Sequence, residues 1–156
     1  MPDAHLTENN LPGRWLRTAL AAQIARLECH LALPGDDETL RKRKLVAFFA
    51  GLAGVNTALL FAVLYFAGGA PLLGWLYVLT VVVCGFTLAY LLLRPRAYYA
   101  CVFITATYVT IHPWAVGLAS GGLGSGLLPM LWALVGPAGA LLLLGVRPAL
   151  VNAALY

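Results

Sequence analysis

Residues 41–66 read RKRKLVAFFAGLAGVNTALLFAVLYF. Four consecutive bases stand directly against an uncharged run from Leu45 to Phe66. At 1.5 Å per residue such a run makes a helix of roughly 33 Å, enough to cross the hydrocarbon core of a bilayer with slight tilt. The rest of the chain repeats this. Beyond residue 44 the only charged side chains are Arg94, Arg96 and Arg147, and there is no acid at all. A charge at the bilayer centre costs at least about 2.5 to 3.5 kcal/mol on insertion scales, so an apolar segment that excludes charge this completely is built for lipid. The uncharged stretches 45–93 and 97–146 are each long enough for two spans and a turn.

Composition points the same way. The chain is 62% hydrophobic and 10% charged, whereas soluble domains carry about 25% charged residues. A formal net charge of +4 would suggest nucleic acid in a soluble protein. Here the bases border apolar runs and need no such partner, and no motif for reading nucleic acid is present; the partner is the lipid bilayer. The first 30 residues mix acids, amides and bases without a continuous apolar core, so they do not form a cleaved signal peptide.

The expected fold is an all-α polytopic membrane bundle. Residues 1–44 form a cytoplasmic lead and 45–156 the transmembrane domain, with four complete spans at about 45–66, 72–93, 97–116 and 126–146 and a partial fifth at 149–156. Within the lead, residues 1–13 read as a flexible start. From Arg14 to Leu33, Leu16, Leu20, Leu27 and Leu31 recur at helical spacing with Trp15 as a headgroup anchor, which predicts an amphipathic helix on the membrane or against a partner helix. Pro34-Gly35 stops it, and Asp36-Asp37-Glu38 offers an N-cap and first-turn acids for a helix that runs through Arg41-Lys42-Arg43-Lys44 into the first span.

Gly68-Gly69-Ala70-Pro71 and Ser120 to Gly126 make the two outer turns; Arg94-Pro95-Arg96 and Arg147-Pro148 make the inner ones. Every Lys and Arg then falls on one side, which places the amino terminus in the cytoplasm and the protein, multi-pass, in the plasma (inner) membrane. Tyr98 and Tyr99 at the inner border, with Tyr65, Trp75 and Trp114 toward the outer one, fit aromatic belts. The segment 149–156 is less than half a span, and an unfinished helix end in hydrocarbon leaves backbone groups without partners, so the chain is expected to be a fragment of a longer one.

Few residues offer chemistry. Roughly 24 Å above Arg96, His112 lies near the outer interface and is a candidate pH-responsive or ligand-contacting group. A histidine hydrogen-bonded to a neighbouring helix is the structural counterpart of that reading. Asn56 and Thr57 can hydrogen-bond between spans. Cys29, Cys84 and Cys101 have no metal-ligand spacing, and Cys84 and Cys101 differ in depth and should not bridge. No Ser-His-Asp set, paired carboxylates or metal cluster can be assembled, so this chain alone has no catalytic residues and no cofactor.

Two stretches carry a family resemblance. The acidic-then-basic lead Gly35-Asp36-Asp37-Glu38-Thr39-Leu40-Arg41-Lys42-Arg43-Lys44 is one. The other is the loop Gly121-Gly122-Leu123-Gly124-Ser125-Gly126 followed by the helix Leu131-Trp132-Ala133-Leu134-Val135-Gly136-Pro137-Ala138-Gly139-Ala140-Leu141. From about residue 14 onward the chain resembles the amino-terminal six-span membrane region of bacterial class III adenylate/guanylate cyclases. The resemblance implies two further helices, a homodimer, and a cytoplasmic cyclase domain whose divalent metal and nucleotide are bound by residues absent from this sequence. It also draws attention to Trp132 and Pro137, beside His112, as sensing or packing residues. Similar six-span modules precede sensor histidine kinases. A non-enzymatic small membrane protein or transporter fragment is the reading from a different class.

Overall fold

The computed structural model describes residues 12–122 and 131–155. Within them the chain forms helix α1 (Pro12–Leu31), α2 (Glu38–Ala67), α3 (Pro71–Leu93), a 3₁₀ turn at Pro95–Ala97, α4 (Tyr98–Ala119), a second 3₁₀ turn at Trp132–Leu134, α5 (Val135–Leu144) and α6 (Val146–Ala153). Three of these, counting α4 with the turn that leads into it, are long and apolar enough to cross a membrane. A membrane protein is the consequence.

The acidic lead and the first span are one helix. Asp37 caps it, its Oδ1 accepting the Leu40 N–H at 2.6 Å. The Lys42–Glu38 pair then bridges one turn. Gly68 closes α2, and Pro71 opens α3 at a position whose N–H has no intrahelical acceptor to lose. Phe66 packs over Gly74, where any Cβ would meet its ring at 2.9 Å, and Leu88 fits against Gly51. The hairpin of α2 and α3 is therefore set by small residues on facing sides.

α4 lies at the centre, touching α3 on one side and α5 and α6 on the other. Its buried face runs through Cys101, Val102, Ala106, Thr110, Pro113 and Val116. The core at its start joins Leu31, Leu91, Tyr98, Cys101 and Val102, with Leu27 and Phe48 packed against it.

Three expectations change. α1 forms, but its apolar stripe is used only at its end: Leu27 and Leu31 reach the core, while Trp15, Leu16 and Leu20 are exposed. The fourth predicted span, 126–146, begins in residues outside those described, as does most of the Ser120–Gly126 turn. Its described part is Trp132–Leu144, shorter than the three long helices, and it ends two residues early. Gly145 ends it: at φ 98° it takes a conformation that side-chain-bearing residues avoid, and its N–H returns to the Ala140 and Leu141 carbonyls. The chain then reverses, and α6 packs against α5 and α4. Finally, Tyr98 is no belt residue. It is 1% exposed and donates its hydroxyl to Leu143 O at 3.1 Å, whereas Tyr99 is exposed.

Candidate functional site

His112 sits on α4 one turn beyond Tyr108, and α3 presents Tyr77 and Thr80 one turn apart to the same place. Thr80 Oγ1 lies 3.0 Å from the Tyr108 hydroxyl and 3.2 Å from His112 Nε2, and Tyr108 OH lies 3.3 Å from His112 Nδ1. The three side chains make a closed triangle. Thr80 also donates to Leu76 O on its own helix, so its oxygen is left to accept from its two neighbours. Tyr108 stacks on the imidazole and Tyr77 meets it edge-on. Tyr77 in turn stacks on Tyr65 and Phe61 of α2, so the cluster joins three helices.

A neutral imidazole in this setting finds a hydroxyl at each nitrogen, one able to donate and one to accept. Adding a proton makes both nitrogens donors, so the Tyr108 hydroxyl must turn its proton from Nδ1 toward Thr80 Oγ1, while Thr80 keeps its bond to Leu76 O. The triangle is therefore a two-state hydrogen-bond element tying α3 to α4, and the Thr87 and Thr105 hydroxyls, 3.1 Å apart, join the same two helices nearer the basic end.

At the basic end the helices are fastened by charge. Lys44 is 2% exposed and donates to Asp36 Oδ2 at 2.6 Å and to Leu31 O at 3.2 Å. Asp36 also accepts the Leu33 N–H, and the Gly35 backbone at φ 99° turns the chain so that this can happen. The bond from Lys44 is the main reason that the Asp36 carboxyl is held below its ordinary range. The last carbonyls of α1 and the first turns of α2 are thus locked by one buried ion pair. Next to it, His30 Nε2 donates to Leu92 O at 2.9 Å, tying α1 to the end of α3.

A third polar contact holds α6. Thr110, fully buried, donates to Ala106 O at 2.9 Å and lies 3.4 Å from Asn152 Oδ1, while Asn152 donates to Pro148 O. Gly136 of α5 comes so close to this point that a Cβ would overlap Thr110 Oγ1 and stand 2.5 Å from Ala106 O.

Of the residues singled out in the sequence, His112 is at the centre of the cluster and the other two are not in it. Trp132 is 65% exposed, and Pro137 lies half-buried in the first turn of α5, where a proline costs no hydrogen bond. Asn56 turns back to Leu52 O of its own helix at 2.8 Å and faces outward instead of crossing to a neighbour. The three cysteines are free. Among the described residues no group of three or more His, Cys, Asp or Glu side chains comes together that could hold a metal ion.

Sequence reasoning missed Thr80, Tyr108, Lys44 and Asn152. Depth gave a signal for the first: Thr80 is 14 residues before Arg94 and His112 is 16 after Arg96, about 21 and 24 Å from the same border. No protein-family model, curated protein or solved structure matches this chain.

Proposed function

We propose that this chain is the membrane anchor and sensing region of a signalling protein in the bacterial inner membrane, with its amino terminus and α1 in the cytoplasm. The observation that carries the sensing role is the Thr80–Tyr108–His112 triangle, a titratable, two-sided hydrogen-bond element between two spans. The same two helices end at the basic face, where Leu92 of α3 holds α1 and Tyr98 of α4 holds α5. A change at His112 that shifts α3 against α4 is therefore felt by α1.

Positive-inside bias supports the orientation, since every basic residue from Arg41 onward lies at one end of the bundle. In this reading the apolar stretch Trp132–Leu144 belongs to a fourth crossing, α6 begins a fifth, and the exposed Trp15, Leu16 and Leu20 rest on the lipid surface as an amphipathic anchor. The output comes from the resemblance of the lead and of the Trp132 helix: a class III cyclase domain, active as a homodimer with its own divalent metal, that forms a cyclic nucleotide from a nucleoside triphosphate.

Membranes carrying the protein expressed from its complete reading frame are expected to form cyclic AMP or cyclic GMP. Thr80→Val is expected to change that rate several-fold at an unchanged protein level. Phosphohistidine without cyclic nucleotide would move the output to a histidine kinase, and neither product would leave a non-enzymatic membrane protein. Labelling of a cysteine placed at Ala97 from outside intact cells would refute the orientation.

A further inference from the structure

Between α2 and α5 runs an apolar groove of about 280 Å³, close to the lower end of the roughly 300 to 1,000 Å³ found for ligand sites. Ala50, Gly51 and Gly54 form one wall and Gly139 and Leu143 the other, with Thr105 on the floor. At the basic end a second, polar pocket is lined by Gly35, Asp37, Thr39, Leu40, Arg43 and Tyr99. The two are stacked on one side of the molecule. On α2, Leu40 and Arg43 of the pocket and Ala47, Ala50 and Gly54 of the groove succeed one another at intervals of three and four residues, which is one helical face. On α4, Tyr99 of the pocket and Val102 and Ala106 of the groove do the same.

The charges of the pocket choose an occupant. Of the four bases in the run, Lys42 and Lys44 are spent on Glu38 and Asp36. Arg43 is in neither pair, and it lines the pocket. Asp37 lines it too. Its Oδ1 caps α2, which leaves the other carboxylate oxygen for a ligand. One cation and one anion that do not pair with each other, in a pocket also lined by Thr39 and Tyr99 and beneath an apolar channel, match a zwitterionic head group on a hydrocarbon tail.

We propose that this face binds one phospholipid with an ethanolamine head group: the phosphate on Arg43, the ammonium on Asp37 and Thr39, and one acyl chain in the groove between α2 and α5. The proposal rests on the helices lying in a bilayer and not on any output domain. A choline head group has no N–H to give Asp37, and a glycerol head group has no cation, so head-group selectivity is the readout.

The test is native mass spectrometry of the protein taken from nanodiscs of equal phosphatidylethanolamine, phosphatidylcholine and phosphatidylglycerol. At least tenfold more of the first is expected to stay bound than of either other lipid. Gly54→Leu and Gly139→Leu each fill the groove from positions where a Cβ meets nothing within 4 Å, and each should cut retention tenfold. Arg43→Gln should reduce it several-fold. Asp37→Asn, which keeps an oxygen for the Leu40 N–H, should abolish the preference for ethanolamine while lipid still binds. Equal retention of the three lipids overturns the proposal. So does unchanged retention in both leucine variants with helical circular dichroism intact, and so does a cysteine at position 54 that cross-links to a second copy of the chain. If both leucine variants fail to fold, the selectivity of Asp37→Asn decides.

Discussion

α2 and α4 are both long enough to cross a bilayer, and they are built on opposite plans. In α2 only 11% of the most apolar window is buried; in α4, the least apolar of the three long helices, the figure is 39%. α2 turns Leu59, Leu60, Val63 and Leu64 outward, while α4 turns Thr110 and Ala106 inward and holds Tyr108 and His112 against α3. In water the more apolar helix would be the buried one. In lipid there is no hydrophobic drive between helices, so contacts are selected by small residues and by polar groups that must find partners within the bundle. The difference is what a molecule solvated by hydrocarbon requires.

The largest effect expected from breaking this contrast is at the α4–α5 contact. Gly136→Leu puts a side chain where Thr110 Oγ1 and the Ala106 carbonyl already stand, and neither can withdraw. The bundle should lose more than about 3 kcal/mol, seen as failure to elute as one species in mild detergent. On α2, Gly54→Ala meets no atom within 4 Å and should be neutral or stabilise the helix by up to about 1 kcal/mol. If the two variants unfold alike in a detergent titration, burial does not distinguish the helices.

Next comes Lys44→Met, expected to cost about 3 kcal/mol because it leaves the carboxylate of Asp36, whose side chain is 9% exposed, without its cation. The pH dependence should weaken. In the native chain the Asp36 carboxyl lies below its ordinary 3.8, so its contribution is complete above that value and is lost only as pH falls through the lower, folded value. Without the cation the largest cause of that lowering is gone, and only the Leu33 N–H and Arg41 still act against desolvation, so the acid-side loss should shrink. Local opening over residues 28–36, read by hydrogen exchange corrected for its intrinsic pH dependence from about pH 7 to about pH 3, should rise less for the variant than for the native chain.

These sites also mark how far the sequence could be read. α2, α3 and α4 were legible because a 22-residue charge-free run has few alternatives to a span, and Asp37 because an acid before a helical run is a cap. Lys44 was hidden by its own neighbours. Four bases in a row satisfy the topological rule together, and only the turn at Gly35 reveals that one of them is consumed by Asp36, eight residues back. Trp132 drew attention through the family likeness, but an aromatic ring is at home facing lipid, and a likeness of sequence says nothing of facing. Gly136 looked like one more small residue in a glycine-rich stretch. The close approach of α5 to α4 that gives it meaning is a tertiary fact. His112 was found without Thr80 because no local spacing joins residues on two antiparallel helices.

Within the cluster the expected effects are smaller. Thr80→Val removes the hydroxyl shared by Tyr108 and His112 while keeping the shape of the side chain, and should cost about 1 kcal/mol of stability, the scale of hydrogen bonds between membrane helices. A detergent titration that shows no difference would make the triangle a packing feature and remove the bistable element from the sensing proposal.

The smallest effect is expected where the sequence promised an interhelical contact and the fold gave none. Asn56 donates to Leu52 O one turn back on the exposed side of α2, and that carbonyl already has its own helical partner. Replacing the amide by leucine deletes a bond the backbone does not depend on and adds apolar surface where the neighbours Leu52, Leu59 and Leu60 already face outward. Asn56→Leu should therefore change stability by less than about 0.5 kcal/mol in detergent, the range of substitutions away from buried or polar contacts. A loss of more than about 1 kcal/mol would mean that this face of α2 meets protein instead of lipid, and the contrast between the peripheral and the central helix would then belong to the isolated chain alone.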